Sequence, residues 1–127
     1  MSETERTKLR QLQIESELHP ETHCLRSGTW VKNAEKTADE LPLVGNSWIE
    51  YWQIFTIQDI PRRCPLCGNP MSEKDVDGCH IQIEEGGLLK CYSKKKYIIP
   101  GHHGCNMKLG AEYQMKFGIT VVEAIKK

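Results

Sequence analysis

Two short, metal-friendly pairs constrain this chain more than anything else in it. The first lies in Cys64-Pro65-Leu66-Cys67-Gly68 and the second in His102-His103-Gly104-Cys105-Asn106. A Cys-x-x-Cys turn presents two thiolates to one ion without strain, and a second pair from elsewhere in the fold completes a tetrahedral set. His102 and Cys105 repeat the same two-residue gap, with His103 competing for the histidine position. Cys64, Cys67, His102 and Cys105 therefore read as one structural zinc site. Zn2+ suits it because thiolate and imidazole are its preferred ligands and no redox change is needed.

The compartment bears on that reading. The six cysteines are Cys24, Cys64, Cys67, Cys79, Cys91 and Cys105. The first ten residues carry Glu3, Glu5, Arg6, Lys8 and Arg10 rather than an apolar leader, and no apolar run reaches membrane-spanning length. The expectation is a cytoplasmic protein with no membrane partner, in which a Cys-x-x-Cys pair binds metal rather than forming a disulfide. Cys79 and Cys91 read as small buried side chains.

With 127 residues the chain has the length of one domain, and a metal staple would help a core of that size. Lys plus Arg is 17 and Asp plus Glu is 17, which excludes a general electrostatic pull toward nucleic acid. The charge is locally uneven. Residues 88–110 hold Lys90, Lys94, Lys95, Lys96 and Lys108 and no carboxylate. Two readings stay open: a phosphate-contacting patch formed by Lys90, Lys94, Lys95 and Lys96, or a solvated hairpin tip that resists edge pairing.

Residues 3–18 read as a helix with Leu9, Leu12 and Ile14 on a weak apolar stripe, ended by His19-Pro20. Residues 20–46 read as irregular, with His19, His23 and Cys24 in loop or core roles. Ser47 and Glu50 form a capping box, and Trp48, Trp52 and Phe55 follow at helical spacing. Such aromatics either face a core or stack on bases, and the core is the stronger expectation. His80-Ile81-Gln82-Ile83 alternates as a half-buried strand, and 88–92 and 97–99 read as short strands stopped by Pro100-Gly101. A helix is expected from Cys105 to about Phe117, with Met107, Ala111 and Met115 at four-residue steps. Thr120 and Glu123 form a second capping box that predicts a C-terminal helix. The resulting class is α+β: residues 1–60 a mostly helical cover, residues 61–127 a zinc unit with its helix, together one compact domain.

The order knuckle, strand, loop, strand, second ligand pair, helix resembles the HNH family, the ββα-metal nucleases on a treble-clef zinc scaffold. The resemblance covers residues 64–110, about a third of the chain. It implies a metal-dependent endonuclease, with Mg2+ or Mn2+ as catalytic ion beside the structural zinc. His80, in Asp77-Gly78-Cys79-His80, falls where the family has its general-base histidine, and Asn106 falls where it has a metal ligand. Cys79 stands where the family usually has an Asp, and Tyr97 where it usually has an Asn. For His80 the other reading is a satisfied strand histidine, and for Asn106 a helix cap. At the level of function, the first reading is an HNH-like protein acting on or binding nucleic acid. The alternative is a catalytically inactive zinc-stapled interaction module that regulates or inhibits a larger complex through a protein partner.

Overall fold

The computed structural model describes residues 1–86 and 91–127, so Lys90 lies outside the described residues. Helix α1 spans Glu3–Ser16, capped by the Ser2 side chain, which accepts from the Glu5 N–H at 3.1 Å. Leu9 and Leu12 pack inward, joined by Leu18, whereas Ile14 faces out. Helix α2, Trp48–Thr56, starts as the capping box predicts: Ser47 Oγ accepts from the Glu50 N–H at 3.2 Å. The Glu50 carboxylate returns the bond one residue early, to the Asn46 N–H at 3.3 Å. Tyr51, Trp52, Ile54 and Phe55 are buried, so this aromatic helix builds a core.

Among the described residues seven strands form one curled antiparallel sheet. They are β1 (Thr22–Leu25), β2 (Trp30–Asn33), β3 (Val76–Glu85), β4 (Cys91–Tyr92), β5 (Tyr97–His102), β6 (Glu112–Gln114) and β7 (Ile119–Glu123). The order across the sheet is β1-β7-β5-β3-β2-β6, with β4 pairing β3 to one side. A one-turn helix, α3, occupies His103–Asn106.

Four expectations are corrected here. Residues 20–46 are not wholly irregular: β1 and β2 join the sheet, so the first sixty residues supply part of the scaffold as well as its cover. The helix expected from Cys105 to Phe117 stops after one turn. Met115 is 2% exposed and Met107 66%, so the four-residue steps from Met107 through Ala111 to Met115 mark no common face. Pairing of Glu112 and Gln114 with Lys32 and Trp30 decides the second half of that segment. The predicted C-terminal helix is instead β7, inserted between β1 and β5. Ile119, Thr120, Val121 and Val122 are all β-branched, and two open strand edges outweigh the local capping signal. β5 also runs through Pro100 and Gly101. β7 partners only Tyr97 and Ile98, so Pro100 sits where the sheet has a neighbour on one side and its missing N–H is tolerated.

The sheet separates two cores. One face buries Cys64, Leu66, Cys79, Ile81, Ile99, Cys105, Met115 and Val121. The other packs Ile98 and Val122 against Tyr51, Trp52, Ile54 and Phe55 of α2. β3 alternates between them, with Cys79 and Ile81 toward the first and Gly78 and His80 toward α2. Gly78 is required there: a Cβ would stand 2.4 Å from the Trp48 backbone carbon and 2.5 Å from the Ile49 nitrogen. No helix among the described residues is long and apolar enough to cross a membrane.

Candidate metal centre

The first thiol pair sits in a tight knuckle. An isolated bridge between Arg63 and Pro70 closes its base, and the Cys64 N–H donates to Asn69 O at 2.8 Å. Inside it the Gly68 N–H returns to Cys64 O at 2.8 Å, and Gly68 takes a φ of +80° that side chains rarely adopt. The turn aims amide hydrogens at sulfur: the Leu66 N–H lies 3.4 Å from Cys64 Sγ. The third thiol reaches the same face from a distant part of the chain, carried by α3 at the end of β5. The Sγ atoms of Cys64, Cys67 and Cys105 all lie within 4.8 Å of one another.

This spacing can hold a metal ion, and the donor chemistry fits one. Burial acts first on Cys67, but N–H donors from Asn69 and its own backbone, with the other two thiols, bring it below its ordinary value. Burial and the neighbouring Cys67 and Cys64 sulfurs push Cys105 up to about 12. Three facing thiols resist sharing negative charge, and a bound cation reverses that balance by taking them as thiolates.

His102 stands beside this trio without joining it. Its backbone N–H donates to Cys64 Sγ at 3.3 Å, while its Nδ1 caps α3 by accepting from the Gly104 N–H at 3.2 Å. His103 turns elsewhere: its Nδ1 is 2.6 Å from Asp77 Oδ2. Asn106 Nδ2 donates to the same carboxylate oxygen at 2.9 Å. Asp77, His103 and Asn106 thus form a polar rim beside the thiols. A shallow groove of about 320 Å³ adjoins it, lined by Asp77, Asn106, Gly78 and Ser47 to Ile49.

His80 is not on that rim. It is 5% exposed, its ring meets Trp48 edge-on at 4.6 Å, and its Nε2 is buried with no hydrogen-bond partner. Burial lowers it to about 4, with Glu40, whose Oε2 is 3.7 Å from Nε2, opposing and Lys96 reinforcing the shift. Cys79 is buried and its thiol is raised well above the ordinary range by desolvation, whereas Cys91 is exposed, against expectation.

The lysines of the basic stretch meet carboxylates that the sequence places far away. Lys95 Nζ lies 2.6 Å from Glu21 and 3.6 Å from Glu123, and Lys96 Nζ lies 4.0 Å from Glu40. Lys94 is exposed. Sequence reasoning misses the Asp77–His103 contact because the two residues are 26 apart and meet only through the β3–β5 register. It misses Asn33 altogether, whose amide reaches Cys105 O, and nothing in the local pattern around Asn33 signals it. No family model, curated protein or solved structure matches the chain.

Proposed function

We propose that this chain is a zinc-stapled, HNH-like module that acts on nucleic acid. The observation that carries it is the delivery of Cys105, by a one-turn helix after the β3–β5 pair, onto the Cys64–Cys67 knuckle. That order of knuckle, two strands and helix is the order of a treble clef. In this reading zinc takes the three thiolates, and His102 is the fourth ligand, its backbone already bonded to Cys64 Sγ. The zinc is structural, because four protein ligands leave no open position for substrate.

The rim of Asp77, His103 and Asn106 is where this reading puts contact with substrate. Asp77 and Asn106 supply hard oxygen atoms of the kind Mg2+ or Mn2+ prefers. A divalent ion there would stabilise charge on the phosphoryl oxygens and the leaving oxygen. His80 has no such access, being closed off by Trp48 and Glu40. The test is plasmid cleavage and single-strand binding with Mg2+, Mn2+ and EDTA, beside Asp77→Ala and Asn106→Ala. Metal-dependent cutting lost in both variants supports the hydrolytic form, and binding without cutting supports a lapsed nuclease.

One observation favours the alternative, an inactive module for a protein partner. Lys95 and Lys96 are paired with Glu21, Glu123 and Glu40, which offsets the local positive charge that phosphate would need. Absence of both cutting and nucleic-acid binding selects that alternative.

A further inference from the structure

Asn33 ends β2 and is 2% exposed. Its side chain is committed to one segment, 72 residues or more away. Nδ2 donates to Cys105 O at 3.3 Å, Asn106 O at 2.9 Å and Lys108 O at 2.8 Å. Its backbone holds the same segment: Asn33 N–H donates to Ala111 O at 2.8 Å, and Gly110 N–H donates to Asn33 O at 3.0 Å. An amide carries two hydrogens, so three acceptors mean that at least one is shared.

The segment needs such help. α3 is one turn long, far below the length at which a helix sustains itself, and its end is held by few bonds besides those of Asn33: Cys105 O also accepts from the Lys108 N–H at 3.2 Å and the Tyr113 hydroxyl at 3.3 Å, and Lys108 O from the Ala111 N–H at 3.2 Å. The Cys105 thiol therefore takes its position from what grips the carbonyls around it. We infer that Asn33 is a positioning residue for the metal centre, fixing the α3 turn so that Cys105 meets the Cys64–Cys67 pair. The inference rests on the metal reading above, though not on any action on nucleic acid. Residues that orient ligands from behind are typically worth a factor of about 10 to 100 in metal affinity.

The experiment is zinc affinity by competition with a chromophoric chelator, together with the Co2+ absorption spectrum, on the full chain. Wild type, Asn33→Ala and Ile54→Ala are compared. Ile54 is fully buried in the other core, so its truncation loosens the fold without touching the segment that carries Cys105. The expected result is a dissociation constant raised by about 10- to 100-fold and a shifted Co2+ band in Asn33→Ala, with Ile54→Ala unchanged in both. A wild-type protein that binds zinc beside an Asn33→Ala variant with the same affinity and spectrum overturns this inference alone. A wild type that takes up no zinc overturns the metal reading, and this inference with it. Should Asn33→Ala fail to fold, side-chain amide NMR of the wild type decides: slow exchange of the Asn33 NH2 protons and a shift complete at one equivalent of zinc support the inference. Fast exchange with no response to zinc overturns it.

Discussion

The two faces of the sheet are stabilised by different chemistry. The α2 face is closed by aromatic and aliphatic burial: Trp52, Tyr51, Ile54 and Phe55 on Ile98 and Val122. On that face Trp52 Nε1 donates to Thr120 O at 2.8 Å, while the buried His80 Nε2 has no hydrogen-bond partner. The opposite face has Val31, Ile81, Ile99 and Val121, but it also gathers four thiols, from Cys64, Cys67, Cys79 and Cys105. Among the described residues no helix longer than the single turn of α3 covers it; that turn and the knuckle do. Apolar area secures the first face, whereas on the second three thiols lie close enough to bind a metal ion, and a chelate there would hold short pieces in register.

Removing a thiol should break that comparison most severely. Cys105→Ser is expected to abolish tight metal binding and cooperative unfolding of the thiol face, since structural zinc supplies on the order of 10 kcal/mol. Circular dichroism melts with and without chelator check it. On the other face Trp52→Ala should cost about 3–5 kcal/mol through the cavity left behind, with zinc affinity unchanged. Denaturant titration beside metal competition separates the two effects.

His80 sharpens the contrast through pH. Its folded value of about 4 lies below its ordinary 6.5, so the unfolded chain binds the proton first as pH falls. Its contribution is intact above pH 6.5 and is lost progressively on acidification toward 4, by about 3 kcal/mol. His80→Gln should flatten that limb of the stability profile. An unchanged acid limb would mean that Glu40 compensates the charge. Gly78→Ala tests how closely the faces are coupled: overpacking against the Trp48 backbone should cost about 1–3 kcal/mol or more, read from the denaturation midpoint. Smallest in effect on the fold is the triple change of Lys94, Lys95 and Lys96 to Ala. It should leave the melting curve nearly unmoved while flattening the salt dependence of nucleic-acid binding. An unchanged salt slope would argue for a solvated tip, with Lys95 and Lys96 held by Glu21, Glu123 and Glu40.

The same two regions differ in how far the sequence reveals them. Ser47, Glu50 and the aromatic spacing after them define α2 because its signals are local and agree with its burial. The Cys-x-x-Cys pair and Cys105 are legible because metal chemistry limits which residues recur at such gaps. Thr120 to Glu123 carries a helix cap yet forms a strand, because the deciding partners, Thr22 to Leu25 and Tyr97 with Ile98, are remote. Met107 and Met115 share a helical spacing that Asn33 and β2 override. His103 and Asp77 are 26 residues apart, and only the β3–β5 register, which puts Asp77 opposite Gly101, brings them together.

The central claim is that Cys64, Cys67 and Cys105 hold one structural metal ion on which the thiol face depends. Native mass spectrometry of the purified chain, with elemental analysis of the same sample, tests it most directly. The account predicts one zinc per chain, absent from Cys105→Ser and released together with loss of the folded charge-state distribution when chelator is added. A folded wild-type chain carrying no stoichiometric metal, with the same charge-state distribution before and after chelator, would contradict it.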